Sequence, residues 1–88
     1  MEYLMFTYPN CPKCERLKEY LSTQGIAYEE FDLTRKESKL RIREFLHVLK
    51  RDDTGGIILP TLIIKEEEGI QAVINSREDF ERWSQSKD

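Results

Sequence analysis

The sequence is short and strongly charged, which limits the classes of protein it can represent. It has 88 residues, of which 39% are hydrophobic and 35% charged, and its formal net charge is −3. This length predicts one small domain over residues 1–88, and the acidic balance argues against a broad nucleic-acid-binding face. No apolar run reaches membrane-spanning length, and no signal peptide is visible at the N-terminus. We therefore expect a monomeric, cytoplasmic domain that binds neither nucleic acid nor a membrane.

A predicted strand and helix open the chain and enclose a C-x-x-C motif. Tyr3 to Phe6 are apolar or aromatic, which predicts a short strand. Lys13 to Gln24 carry apolar residues at helical spacing, and Gly25 is the residue type expected just beyond a helix. The motif therefore lies where a strand leads into a helix.

The motif Cys11-Pro12-Lys13-Cys14 combines three features that favour a thiolate. Pro12 suits the first helical position, which places Cys11 at the N-cap among free backbone N–H groups. The helix dipole and the charge of Lys13 add positive potential there. We therefore predict that Cys11 is the nucleophile and that its pKa lies below the ordinary value of about 8.5. Cys14, one turn further in, is expected to be less exposed and within disulfide reach.

Two kinds of chemistry use a C-x-x-C pair, namely thiol–disulfide exchange and zinc binding. Zinc normally takes four ligands, and this chain has only two Cys and one His. That histidine, His47, falls off the apolar stripe of a predicted helix and is interpreted as a surface residue. The shortage of ligands favours a thioredoxin-like redox site and predicts that no metal is bound.

The middle of the chain predicts a strand followed by a longer helix. Ile26 to Phe31 are rich in β-forming residues, and this strand should lie parallel to the first with a right-handed crossover. Thr34 and Glu37 have capping-box spacing, which predicts a helix with Thr34 as N-cap that runs to about Lys50. Its apolar stripe is expected to comprise Ile42, Phe45, Leu46 and Leu49.

Pro60 interrupts an apolar run from Ile57 to Ile64. Because proline donates no hydrogen bond to a sheet, the simplest interpretation is that Pro60 opens a strand that begins at Thr61. The alternative is a cis-proline that turns the backbone of Leu59 toward a bound partner. Only about 5–6% of X-Pro bonds in folded proteins are cis, so the local pattern favours the first interpretation.

The last part of the chain predicts a hairpin and a helix. The returning strand of the hairpin covers residues 69–74. Asn75 or Ser76 is expected to cap the helix, with an acidic residue three positions later completing a capping box. Phe80 and Trp83 lie three residues apart and should pack this helix on the sheet.

Two of these segments resemble the glutaredoxin family, and the similarity covers nearly the whole chain. The Cys-Pro-Lys-Cys motif is similar to the family's C-P-Y-C site, and Thr54 to Thr61 are similar to its T-G-x-x-x-V-P-T segment. The resemblance implies an α/β, thioredoxin-like fold in which a four-stranded mixed sheet has helices on both faces. It also implies that Pro60 is cis and lies beside the Cys pair, which reverses the local interpretation. The backbone of Leu59 would then pair with the substrate like an added strand.

The sequence departs from the family at two places linked to glutathione. Many members carry Lys or Arg three residues before the first Cys, where this chain has Tyr8. Many also carry Gly-Gly after the last strand, where this chain has Asn75-Ser76-Arg77. The helix N-terminus at Ser76 and Arg77 could still receive an anion. The residues that the resemblance implies for substrate binding are Tyr8, Leu59, Pro60, Asn75, Ser76 and Arg77.

The resemblance implies a dithiol thiol–disulfide oxidoreductase that reduces protein or glutathione mixed disulfides. No cofactor would be bound, the substrates would be disulfide-containing proteins, and the electron source would be glutathione or thioredoxin reductase. One alternative is a redoxin that is reduced by thioredoxin reductase and serves ribonucleotide reductase, since the stretch from Ser76 to Asp79 is distantly similar to that group. Another is an iron–sulfur carrier, although glutaredoxins of that kind usually keep a single active-site Cys. A non-catalytic binding module is disfavoured by the intact dithiol.

Overall fold

Four strands form one mixed sheet in the computed structural model, which describes residues 1–86. Strand β1 pairs in parallel with β2 and antiparallel with β3, and β3 pairs antiparallel with β4. The order across the sheet is β2-β1-β3-β4, which confirms the four-stranded mixed sheet. The last two residues of the predicted domain, 87 and 88, lie outside the described residues. The strands are β1 Glu2–Thr7, β2 Glu29–Asp32, β3 Thr61–Glu66 and β4 Gly69–Ile74.

Helix α1 (Pro12–Thr23) links the parallel pair β1 and β2, as predicted. Gly25 follows it with a φ of +70°, a conformation that glycine adopts without steric cost. Strand β2 begins three residues later than expected from the sequence. The reason is that the N–H of Ile26 donates to the carbonyl of Leu21, at 2.9 Å, and so still belongs to the end of the helix.

The predicted capping box of the second helix is wrong. Helix α2 covers Lys36–Ile42, and its N-cap is Arg35, whose side chain makes no capping hydrogen bond. The hydroxyl of Thr34 instead donates to Oδ1 of Asp32, at 2.7 Å. Thr34 therefore stabilises the turn after β2, and the helix starts two residues beyond it.

The second helix also ends earlier than the predicted boundary near Lys50. The chain tightens into a 3₁₀ turn at Arg43–Phe45 directly after α2. Phe45 is buried as predicted, but Leu46 is 44% exposed and does not belong to the apolar stripe. His47 is exposed, which confirms its interpretation as a surface residue.

The two faces of the sheet carry separate apolar clusters, because successive side chains of a strand point to opposite faces. Helices α1 and α3 (Arg77–Gln85) cover one face, and α2 with its 3₁₀ turn covers the other, which confirms helices on both faces. Within residues 1–86, none of these helices has the length and apolar character needed to cross a membrane. The first core cluster comprises Met5, Leu17, Leu21, Leu62, Ile64, Ile74 and Phe80, with Trp83 packed against it. The second core cluster comprises Leu4, Phe6, Leu33, Ile42, Phe45 and Ile63.

Candidate active site

A short loop connects β1 to α1 and presents the Cys pair. Asn10 has a φ of 59°, in the left-handed region that Asn tolerates better than most residues. Cys11 has extended backbone angles, φ −112° and ψ 100°, and is the N-cap of α1, with Pro12 as the first helical residue. The predicted position of the motif, where a strand leads into a helix, is therefore confirmed.

Cys11 and Cys14 are joined by a disulfide, and their Cα atoms lie 5.2 Å apart. Cys11 is partly exposed, whereas Cys14 is only 1% exposed, as predicted from its position one turn into the helix. The backbone N–H of Cys14 donates to Sγ of Cys11, at 3.1 Å. One sulfur is therefore accessible and the other shielded. An open depression of about 500 Å³ at the exposed sulfur is lined by Asn10, Cys11, Pro12 and Glu15.

Pro60 lies at the same end of the two central strands as the loop that carries the Cys pair. The first residue pair between β1 and β3 is Phe6 with Thr61, so Pro60 precedes β3 where β1 ends. The Leu59–Pro60 peptide bond is cis, as the family resemblance implies, and the strand begins at Thr61, as the local pattern predicts. Leu59 is partly buried against the second core cluster, and Pro60 is fully buried.

Asn75 has internal hydrogen bonds that the sequence analysis did not predict. Its Nδ2 lies within hydrogen-bond distance of the carbonyls of Ile58 and Pro60, both at 3.1 Å, and of Oγ1 of Thr61, at 3.2 Å, so that its two N–H groups are shared among three acceptors. The residue is only 8% exposed, so its side chain faces the segment before β3. The predicted contact between Asn75 and a substrate stays a prediction.

Ser76 caps α3, as one of the two predicted alternatives. Its Oγ accepts from the N–H of Asp79, at 3.0 Å, and Oδ2 of Asp79 accepts from the N–H of Asn75, at 3.2 Å. Arg77 is exposed, and its guanidinium lies 4.9 Å from the centre of the Tyr20 ring while Nε bonds Glu81 at 3.0 Å. Local contacts thus satisfy the first turn of α3.

The structure brings three of the predicted site residues together at a small cavity between the first turns of α1 and α3. Its volume is about 120 Å³. Arg16 and Glu78 form an ion pair across it, at 3.3 Å, but both side chains are mostly exposed, so this pair adds little stability. Tyr8 does not line this cavity and is 52% exposed on the loop after β1. The lining residues are Lys13, Arg16, Ser76, Arg77 and Glu78.

A polar network behind the Cys loop was missed by the sequence analysis. Oγ1 of Thr7, the last residue of β1, donates to Glu30 at 2.8 Å. Lys18 bridges Glu30, at 3.1 Å, and Glu15, at 2.8 Å. Glu15 and then Glu30 raise the pKa of Lys18, against an opposing effect of partial burial. The helical spacing of Glu15 and Lys18 was the only signal for this network, since Thr7 and Glu30 meet only through strand pairing.

The one histidine of the chain lies away from the Cys pair, although Glu15 lines the same depression as Cys11. His47 is exposed on the turn after α2, on the sheet face opposite α1. Among residues 1–86, no group of three or more His, Cys, Asp or Glu side chains is arranged to hold a metal ion.

Comparison with known proteins agrees with this fold. The glutaredoxin family model matches residues 4–68. The thioredoxin-like protein BC3987 is 23% identical with a TM-score of 0.62, over 92% of this chain and 97% of its own. A mutant of that protein gives 23% identity and a TM-score of 0.63, over 92% and 96%. The solution structure of glutaredoxin from Brucella melitensis is 19% identical with a TM-score of 0.59, over 99% of this chain and 82% of its own. None of the curated proteins matches the sequence.

The solved structures are distant in sequence, so they bear on the fold and confirm that it is thioredoxin-like. The family match identifies the family of the chain, because it spans most of the sequence and includes both Cys11 and Cys14. It also includes the segment that leads into Pro60. The chain therefore belongs to the glutaredoxin family, whose general chemistry is thiol–disulfide exchange.

Proposed function

We propose that the protein is a dithiol oxidoreductase that reduces disulfide bonds of other proteins and mixed disulfides of glutathione. The observation that supports this most directly is the disulfide between Cys11 and Cys14 at the start of α1. One sulfur is accessible and the other shielded, which suits a reaction in which Cys11 attacks and Cys14 resolves. The proposed compartment is the cytoplasm, where thiols are kept reduced, and the proposed working state is a monomer.

The reaction starts from the reduced protein. The thiolate of Cys11 attacks one sulfur of the substrate disulfide, and the other substrate sulfur leaves as a thiolate. Cys14 loses its proton and attacks the Cys11 sulfur of this mixed disulfide, which releases the second substrate sulfur. Two electrons pass to the substrate, and the two product thiols take up the proton that Cys14 loses and one proton from solvent, to which Cys11 had already given its own. An external two-electron donor then reduces the Cys11–Cys14 disulfide.

Leu59 is the proposed docking point for an extended segment of the substrate. It lies two residues before Thr61, the first residue of β3 to pair with β1. Main-chain hydrogen bonds to this segment would hold a substrate without requiring a particular sequence. A segment held there would be oriented so that its disulfide meets Cys11, and such positioning lowers the entropic cost of the attack.

The residues around the site favour weak coupling to glutathione. Tyr8 offers no positive charge to a carboxylate of glutathione at the position where the family often has Lys or Arg. The cations beside Ser76 are Lys13, Arg77 and Arg16, and Arg16 is paired with Glu78. Thioredoxin reductase is therefore the alternative electron source, and the protein would then be a redoxin of the kind that serves ribonucleotide reductase.

A coupled assay of NADPH oxidation tests the function and the electron source together. One arm supplies glutathione and glutathione reductase, and the other supplies thioredoxin reductase, with insulin as the protein disulfide in both. We expect turnover in at least one arm and none with Cys11→Ser. An absence of turnover in both arms would contradict the proposed function. A brown protein with visible absorbance after purification would instead favour the iron–sulfur alternative.

A further inference from the structure

Asn75 holds the segment before β3 from both sides of Leu59. Nδ2 of Asn75 donates to the carbonyl of Ile58, which precedes Leu59, and to the carbonyl of Pro60, which follows it. Thr61 extends this network, because its hydroxyl accepts from the same Nδ2 at 3.2 Å and donates to the carbonyl of Ile58 at 2.7 Å. The backbone of Leu59 is therefore fixed at its two neighbours by one carboxamide.

The chemistry of these partners determines which way the carboxamide of Asn75 faces. The carbonyl oxygens of Ile58 and Pro60 accept hydrogen bonds and cannot donate them, so only the NH₂ end of the side chain can face them. A carboxylate at this position would place negative oxygens against two carbonyl oxygens. The interaction is thus specific to a donor and is not a general effect of polar packing.

The other end of the carboxamide is poorly satisfied. Oδ1 of Asn75 is buried and has no hydrogen-bond partner among the described residues. A buried acceptor without a donor is unfavourable. The favourable contribution of this side chain is the set of hydrogen bonds from Nδ2 to the segment before β3.

Asn75 is itself held by the first turn of α3. Its backbone N–H donates to Oδ2 of Asp79, at 3.2 Å, and it stands between the end of β4 at Ile74 and the N-cap Ser76. The carboxamide therefore links the start of α3 to the segment around Leu59.

We propose that Asn75 is a positioning residue for protein-disulfide substrates. By fixing the carbonyls on either side of Leu59, it sets where the docking backbone stands relative to Cys11. This inference rests on the proposed function. Loss of the carboxamide should weaken docking of a protein substrate, while the reactivity of Cys11 toward a small disulfide should be unchanged because the Cys loop keeps its own contacts.

The test uses single turnovers of the reduced protein. Reduced protein is mixed with increasing insulin, and the observed rate gives a half-saturation concentration and a maximal rate. The same proteins react with hydroxyethyl disulfide, which is too small to pair with a strand. For Asn75→Ala we expect the half-saturation concentration for insulin to rise about three- to tenfold, because the bonds that fix the carbonyls on either side of Leu59 are lost. The maximal rate and the rate with the small disulfide should stay within about twofold.

Ser38→Ala is the matched control, since Ser38 is a buried polar residue on α2 and is 4% exposed. We expect this variant to change thermal stability without changing the half-saturation concentration.

Asn75→Asp should have a higher half-saturation concentration for insulin than Asn75→Ala at neutral pH. Its half-saturation concentration should approach the wild-type value as the pH falls from about 8 to about 5, because a protonated carboxyl can again donate a hydrogen bond. A merely structural residue would show no such recovery in docking.

Two results would overturn the inference. One is an unchanged half-saturation concentration in Asn75→Ala together with a lowered Tm, and the other is an equal loss of rate with insulin and with the small disulfide. If Asn75→Ala does not fold, Thr61→Val replaces it, since that change removes both the Oγ1 contact with Asn75 and the bond to Ile58. Failure of the wild-type protein to reduce insulin at all would count against the proposed function and not specifically against Asn75.

Discussion

The backbone N–H of Cys14 donates a 3.1 Å hydrogen bond to Sγ of Cys11 across the first turn of α1. Cys11 is also the N-cap of that helix, so its sulfur faces the positive end of the helix dipole. A hydrogen bond to the charged form of a group favours that form. These contacts therefore favour the thiolate once the disulfide has been reduced.

The first prediction is that the pKa of Cys11 in the reduced protein lies below about 8.5. The rate of iodoacetamide alkylation against pH gives this value, and the Cys14→Ser background ensures that only one thiol reacts. Lys13→Gln should raise the midpoint by about half a pKa unit, because a nearby positive charge is lost. Lys39→Gln on α2 serves as a control. A midpoint for Cys11 at or above that of free cysteine would contradict the prediction.

The second prediction separates the roles of the two cysteines. Cys11→Ser should abolish reduction of insulin, because the accessible nucleophile is lost. Cys14→Ser should accumulate mixed disulfides with protein substrates, because the resolving thiol is absent. Non-reducing gel electrophoresis and mass spectrometry would detect these adducts. Full turnover of protein disulfides by Cys14→Ser would show that the dithiol mechanism is incorrect.

The third prediction concerns Tyr8, which is 52% exposed on the Cys loop. Tyr8→Lys should lower the KM for a glutathione mixed disulfide about three- to tenfold, because it supplies a cation for a carboxylate. Tyr8→Phe is the matched control and should leave this KM nearly unchanged. The kinetics would be measured in the glutathione-coupled assay. A wild-type KM already as low as that of Tyr8→Lys would remove the basis for the prediction.

The fourth prediction concerns the turn that leads toward Pro60. The Thr54 hydroxyl, then the N–H groups of Gly56 and Thr54, bond the carboxylate of Asp52 and lower its pKa below 3.8. Since the unfolded chain binds this proton more tightly, the stabilisation is present above the ordinary pKa and is lost as the pH falls through the folded-state pKa. Asp52→Asn should therefore lower Tm at neutral pH.

The Tm difference between wild type and Asp52→Asn should shrink in acid, and thermal unfolding followed by circular dichroism against pH would measure it. Asp53→Asn is the neighbouring control, since its side chain makes none of the bonds made by Asp52. A difference that stays constant across the acid range would show that the charge of Asp52 contributes nothing.

The start of the chain was predictable because its signals are local. Pro12 fixes the first turn of α1, Gly25 marks its end, and Cys11 lies between strand and helix in sequence as in space. The cis form of Pro60 did not follow from local statistics and came only from the family resemblance. The local pattern thus predicted the position of Cys11 at the start of α1, and the family resemblance predicted the cis form of Pro60.

Two kinds of contact could not be predicted: those of a side chain with more than one possible local partner, and those between residues far apart in the sequence. Thr34 was expected to cap α2 by accepting from a helix N–H, but its hydroxyl donates to Asp32 in the preceding turn and the helix starts beyond it, with Arg35 as N-cap. The contact between Asn75 and Ile58 joins residues 17 positions apart, and no periodic pattern in the sequence indicates such a pair. The polar network from Thr7 to Glu30 likewise depends on the register of two strands that α1 separates in the sequence.

The disulfide of the site closes a very small ring of chain, since its two cysteines are three positions apart. A cross-link restricts the unfolded chain more when the ring that it closes is longer. Reduction of this short cross-link therefore removes little of the constraint on the unfolded chain, and the stability of the fold rests mainly on the two core clusters.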